Sequence, residues 1–304
     1  MNQIANQLAL ILILLGTCSG LFVAGVLLRW RKRHASVARR SPLTEDLLRG
    51  PGHGVREQIE KISDDMDTWA TQIVLIPLVL YALHLSQSYL LGTPESTSRI
   101  IISVVVGVAV VGYGTWRLLR LAQQRERLAL GLDAEIAVAQ ELSQLMREGA
   151  VVFHDFPAEG FNIDHIVVCS AGVYAIETKG RSKPKNGDGR KDARVEFDGK
   201  ALKFPRWIET KPLAQAERQA HWLQKWLSSA IGEPISVMPV LVLPGWFVDG
   251  TGRGRVTVFN GKKPSFLLRV KNAEPLSPQA IQRAAHQIEQ RCRTVKRTLG
   301  PLGA

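Results

Sequence analysis

The sequence predicts three N-terminal transmembrane helices followed by an α/β sandwich, and three observations predict it. Charged residues are absent from 8–28, 68–94 and 100–116 of the 304-residue chain, and no uncharged run of that length occurs after residue 120. Beyond that point apolar residues first recur at helical spacing and then fall into short runs separated by turn residues. The charge divides the same way: of a net +12, residues 120–304 carry 28 basic against 19 acidic side chains.

A helix needs about 20 residues to cross the hydrocarbon core of a bilayer. Residues 8–28 and 69–91 meet that length, and 100–118 just reaches it. A cleaved signal peptide is the alternative for the first segment. However, residues 1–7 carry no charged side chain and the apolar stretch is longer than a signal peptide's, so an uncleaved anchor is expected. Basic flanks stay in the cytoplasm. Arg29, Arg31, Lys32 and Arg33 follow the first segment, and Arg117, Arg120, Arg125 and Arg127 follow the third. The N-terminus is therefore expected outside, 29–67 as a cytoplasmic loop and everything after 118 inside, which describes a multi-pass protein of the cell inner membrane. Gly107, Gly112 and Gly114 suit close helix packing, so an anchor is expected rather than a transport path.

The second half is expected to start with an amphipathic helix, or a helix pair broken near Gly131. Its apolar positions Leu128, Leu132, Ile136, Ala139, Leu142 and Leu145 step by three or four, and Gly149 ends it. Strands follow at 151–156, 163–169 and 173–178. An Asp198-Gly199 hairpin, a helix at 213–227, strands at 237–243 and 255–260, and a closing helix at 278–299 complete an α/β domain. The expected boundaries are 1–118 for the anchor region, 119–277 for the α/β domain and 278–304 for a C-terminal helix packing on or extending it. Cys18, Cys169 and Cys292 have no paired spacing, which argues against a disulfide framework or structural zinc and fits a reducing compartment.

The hairpin at 163–178 carries the chemistry. With Ala171 and Gly172 as its turn residues, Ile166 faces Glu177 and Asp164 faces Lys179. Side chains alternate along a strand, so Asp164, Glu177 and Lys179 share one face. Two carboxylates there suit Mg²⁺, which binds through one or two carboxylates plus substrate phosphate. A neighbouring ammonium can activate water or stabilise negative charge. A salt bridge on a solvated sheet face is the alternative that these residues alone leave open.

Asn162-Ile163-Asp164-His165-Ile166-Val167-Val168 followed by Gly172-Val173-Tyr174-Ala175-Ile176-Glu177-Thr178-Lys179 resembles the core of the NERD (nuclease-related) domain, of the restriction-endonuclease-like PD-(D/E)xK nucleases. Gly131-Leu132-Asp133-Ala134-Glu135 is similar to the G-x-x-G-E start of that family's first helix, with Ala134 for the second glycine. Lys211-Pro212-Leu213-Ala214-Gln215 is similar to its N-P-x-x-Q element, with Lys211 for the asparagine. The resemblance implies a restriction-endonuclease-like α/β sandwich. It also implies Asp164 and Glu177 as metal carboxylates, the Thr178 carbonyl as a further ligand and Lys179 as the catalytic lysine. Glu135 would be an additional acid, and Gln215 would line the site. The implied cofactor is Mg²⁺, with Mn²⁺ as its substitute.

Between Lys179 and Arg206 ten Lys and Arg stand against four acids. A stretch leaving the sheet beside the site is placed to track a phosphate backbone, through Arg181, Lys183, Lys185, Arg190 and Lys191; a solvated loop is the alternative. His165 is expected to be packed on the opposite face from Asp164, and Trp222 and Trp226, four apart on a helix, to belong to the core. The expected function is a membrane-anchored, Mg²⁺-dependent nuclease acting on cytoplasmic DNA, with incoming foreign DNA as the target its layout suits. RNA is an alternative substrate, and a homo-oligomer is compatible with the sequence. A non-cleaving nucleic-acid-binding or scaffold protein that tethers a partner to the membrane is the competing reading. Regulation at an acidic lipid surface is a third.

Overall fold

The computed structural model describes residues 45–90, 97–183, 191–269 and 275–296. In chain order the elements are β1 (Leu47–Leu48), α1 (His53–Leu90), α2 (Thr97–Leu142), β2 (Val151–Pro157), β3 (Asn162–Cys169), β4 (Gly172–Thr178), β5 (Arg194–Phe197), β6 (Leu202–Lys203), β7 (Ile208–Glu209), α3 (Lys211–Ile231), β8 (Val237–Val242), β9 (Phe247–Gly250), β10 (Thr257–Phe259), α4 (Pro278–Cys292) and β11 (Arg293–Val295). Among the described residues the chain forms two compact units, Leu47–Asp64 with Leu121–Val295, and one built on Asp65–Arg120.

In the second of these units, α1 and α2 meet through Trp69 and Tyr113, whose rings lie edge to face at 5.4 Å. Apolar side chains on both helices stay exposed, among them Val74, Tyr81, Val105 and Val108. Among the described residues two helices are long and apolar enough to cross a membrane. The segment expected at 8–28 lies outside the described residues.

Several boundaries differ from the sequence reading. Residues 53–67, expected in a loop, are helical because α1 starts at His53. The segment expected to end at 118 continues unbroken past Gly131 to Leu142. A 3-10 stretch, Ser143–Glu148, follows it, and Gly149 caps it in the left-handed conformation. The closing helix stops at Cys292, and Arg293–Val295 instead pairs antiparallel with Leu47–Leu48.

The other unit is built on a five-stranded sheet in the order β10-β8-β4-β3-β2. β2, β3 and β4 form an antiparallel meander, and β8 joins β4 in parallel after the crossover through α3. Ile166 and Val168 point to one face, where Leu223 and Leu227 of α3 and Ile288 of α4 cover them. Val167 and Cys169 point to the other, against Val138 and Leu142 of α2 and Leu145. With both faces covered, every residue of β4 is buried, which is why β4 reads as a nearly continuous apolar run. Trp222 and Trp226 pack against the first of these cores, as expected. A smaller sheet, β7-β6-β5-β9, contains the hairpin around Asp198-Gly199 and has its own core on Phe204, Leu202 and Trp246.

Candidate functional site

The hairpin register differs from the sequence reading by two residues. Cys169 pairs with Gly172 and His165 with Ile176, so the turn residues are Ser170 and Ala171 and the next step outward brings Asp164 opposite Glu177. An even shift preserves the alternation of faces, and Asp164, Glu177 and Lys179 still gather at the open end of the hairpin. Asp164 Oδ2 accepts the Thr178 N–H at 2.6 Å, which ties the two strand ends together.

Glu177 is 1% exposed, and both of its carboxylate oxygens have partners. Oε1 pairs with the Lys179 ammonium. Oε2 accepts from the amide of Gln219 at 2.6 Å, and the same amide nitrogen reaches the Asn162 carbonyl at 3.2 Å. Gln219 sits one turn beyond Gln215 on α3, and its own Oε1 is buried without a partner. Gln215 is half-buried and lines the cleft.

Glu135 projects from α2 into the same place. Burial, together with the negative charges of Asp155 and Glu177, pushes its carboxyl up to about 7, while Lys179 and a hydrogen bond from the Gly52 N–H pull the other way. Asp164 is raised well above the usual carboxylate range by burial, by Glu177 and by Glu135. Three acids crowd one another here, with Lys179 as the cation among them. The resulting cleft encloses roughly 610 Å³ and is also lined by Arg127, Gln58 and Gly54. Among the described residues no three His, Cys, Asp or Glu side chains draw together tightly enough to cage a metal by themselves.

Asp155 is the acid that the sequence reading missed. The pairs His154 with His165 and Phe156 with Ile163 place it opposite Asp164. Its φ of 48° breaks the strand's alternation, so Asp155 and Phe156 are both buried. Four donors surround it: Arg49 through Nε and Nη2, each at 2.8 Å, the Gly54 N–H at 2.8 Å and Asn162 Nδ2 at 2.9 Å. The signal that could have exposed this contact is the run Gly50-Pro51-Gly52-His53-Gly54, an unusual density of small and turn-forming residues at a helix start.

The expected basic surface is only partly free. Arg181 grips Glu209 with two hydrogen bonds, 2.9 and 2.8 Å, and holds that carboxyl below its usual range. Lys183 is exposed, with its ammonium 6.0 Å from the Trp246 ring. Lys185 and Arg190 lie outside the described residues, and Lys191 opens the 3-10 turn Lys191–Ala193. His165 is fully buried on the face away from Asp164 and meets His154 at 2.9 Å between their Nδ1 atoms.

The fold and the site together define an α/β domain with an acidic, lysine-containing cleft at the open end of a hairpin. The family model described as nuclease-related domain, NERD, matches residues 130–244, so this domain is similar to nuclease-related domains. No curated protein and no solved structure matches the chain.

Proposed function

We infer that the protein is a membrane-anchored, divalent-cation-dependent nuclease of the restriction-endonuclease-like PD-(D/E)xK type, hydrolysing phosphodiester bonds of cytoplasmic DNA. The observation that carries this reading is the convergence of Asp164, Glu177 and Lys179 in one cleft of the domain that matches the nuclease-related family. The apolar lengths of α1 and α2 support anchoring. The basic flanks support a domain on the cytoplasmic side of the inner membrane, where foreign DNA entering the cell would meet it.

The donor set fits Mg²⁺. Mutually repelling carboxylates beside a single ammonium leave a surplus of negative charge, and Mg²⁺ favours a few carboxylate oxygens completed by water and phosphate. Asp164 and Glu177 would hold the ion, with the Thr178 carbonyl beside them. When bound it would neutralise charge on the phosphate and lower the pKa of a water. Lys179 holds its positive charge at Glu177, where it can orient that water and stabilise developing negative charge. Gln219 fixes the Glu177 carboxylate from behind. Gln215 faces the cleft, where it can donate to a phosphate oxygen.

The test is incubation of the full chain in detergent with plasmid and linear DNA, with Mg²⁺ and with EDTA. Cleavage that requires the cation is expected. Binding without cleavage under Mg²⁺ and Mn²⁺ would establish the second reading, a nucleic-acid-binding tether. One observation favours that reading: both Glu177 oxygens, and the Arg181 guanidinium on both Glu209 oxygens, are already engaged within the chain.

A further inference from the structure

Residues 49–54 lie outside the segment that matches the nuclease-related family, yet they reach two of the cleft's acids. Gly52 lies against Glu135, whose Oε2 would stand 3.5 Å from a Cβ added there, and Arg49 with the Gly54 N–H holds Asp155. The segment is fastened on its far side as well, since the Arg49 N–H donates to the Cys292 carbonyl at 3.0 Å. Two glycines make the approach feasible. At Gly52, with φ +63°, an added Cβ would stand 2.3 Å from Leu132 Cδ1, and at Gly54 it would stand 2.7 Å from Asn162 Nδ2. Asp155 is 3% exposed and has a positive φ, which aspartate tolerates better than most residues, and its four donors hold it there.

We propose that residues 49–54 form a strap that completes the acidic cleft, with Arg49 and Asp155 as the positioning residues that fasten it so that Gly52 holds Glu135 in place. The proposal rests on the nuclease reading above for what the cleft does, but not for whether the strap is there. Asp155 is kept from the cation by its own ion pair, and its charge is spent on Arg49 and on the start of α1. Glu135 then stays aimed at the cleft because the strap backbone at Gly52 lies against its carboxylate.

The test uses the full chain in detergent, with hydrogen–deuterium exchange over residues 47–58 and Mn²⁺ titration followed by electron paramagnetic resonance. Gly54→Ala and Arg49→Ala should each speed exchange in the strap while β3 and β4 stay protected, and should weaken Mn²⁺ binding about tenfold, as misplacing an acid beside the ion's ligands does. Arg49→Ala removes a positive charge, which by charge alone would tighten cation binding, so weakening reports lost position. Arg49→Lys should recover part of the affinity. Unchanged strap exchange in both alanine variants would overturn the proposal, and so would a freed strap with the parent's Mn²⁺ affinity. If the shifts appear but the parent never cuts DNA, the strap stands and the nuclease reading falls. If the parent cuts DNA and Gly54→Ala binds Mn²⁺ like the parent, only the strap falls.

Discussion

Gln219 and Lys179 each hold a different oxygen of Glu177, one from the crossover helix α3 and one from just past the end of β4. A buried carboxylate held this way cannot rotate without losing a partner. Gln219→Leu should therefore leave Glu177 Oε2 without its donor, costing about 1–3 kcal/mol of stability. It should also cost about 10- to 100-fold in Mn²⁺ affinity, because a group that orients a ligand is lost. Thermal unfolding and Mn²⁺ titration of the same preparation check both numbers, and parent-like affinity would remove Gln219 from the site.

The three hairpin groups should separate by phenotype. Asp164→Asn and Glu177→Ala each remove a proposed metal oxygen, and Mg²⁺-dependent cleavage should fall to background. Lys179→Ala frees Glu177 Oε1 from its ion pair, so divalent-cation binding should hold or tighten. Cleavage should still drop by about 100-fold or more, since the charge that stabilises the reacting phosphate is gone. Parallel cation titrations and single-turnover cleavage distinguish these outcomes. Equal losses of binding in all three variants would contradict the roles assigned.

These acids were legible in the sequence because strand alternation survives an even register error. The turn moved from Ala171-Gly172 to Ser170-Ala171, yet Asp164 and Glu177 stayed on one face. Asp155 was hidden for the opposite reason: its φ of 48° breaks the alternation that a pattern reading relies on. Gln219 lies four residues after Gln215, the spacing that keeps two side chains on one helix face, so the signal was present and went unread. The partners of the strap were not legible, although the Gly50-Pro51-Gly52-His53-Gly54 run marks an unusual helix start. Asp155 and Glu135 lie far along the chain, and a charged, glycine-rich stretch reads locally as a loop.

Acid stability should report two opposed groups. Burial lowers His154 to about 4 and holds His165 well below its ordinary value, with the His154 charge adding to the second effect. A folded-state pKa below the unfolded value of about 6.5 means that the unfolded chain binds more protons. Stability from these histidines is thus complete above pH 6.5 and is lost as pH falls toward 4, by at most about 3 kcal/mol for His154. Glu135, raised to about 7, acts in reverse: its contribution is complete below about 4.5 and is lost as pH rises through 7. Between pH 4.5 and 6.5 the two effects offset each other. Urea midpoints in EDTA should therefore fall gently on acidification in the parent and more steeply in Glu135→Gln. Parallel curves would contradict the buried, protonated state of Glu135.

Salt dependence should sort the cations around the cleft. Each phosphate contact on duplex DNA contributes about −0.9 to the slope of log affinity against log salt. Lys183 is exposed beside Trp246, and Arg127 is exposed at the cleft on the α2 face that carries Glu135 two turns later. Lys183→Ala and Arg127→Ala should each flatten the slope by about one contact. Arg181 is different, because its guanidinium is fixed on Glu209, which also accepts from the Trp207 indole at 2.7 Å, while Trp246 donates to the Arg181 carbonyl at 3.1 Å. Arg181→Ala should leave Glu209 without its main partner and loosen the small sheet, lowering the thermal midpoint with little change in slope. A slope that flattens at Arg181 while Lys183→Ala leaves it unchanged would mean that DNA breaks the Arg181–Glu209 pair on binding, and the phosphate path would then run over β7 instead of past Trp246.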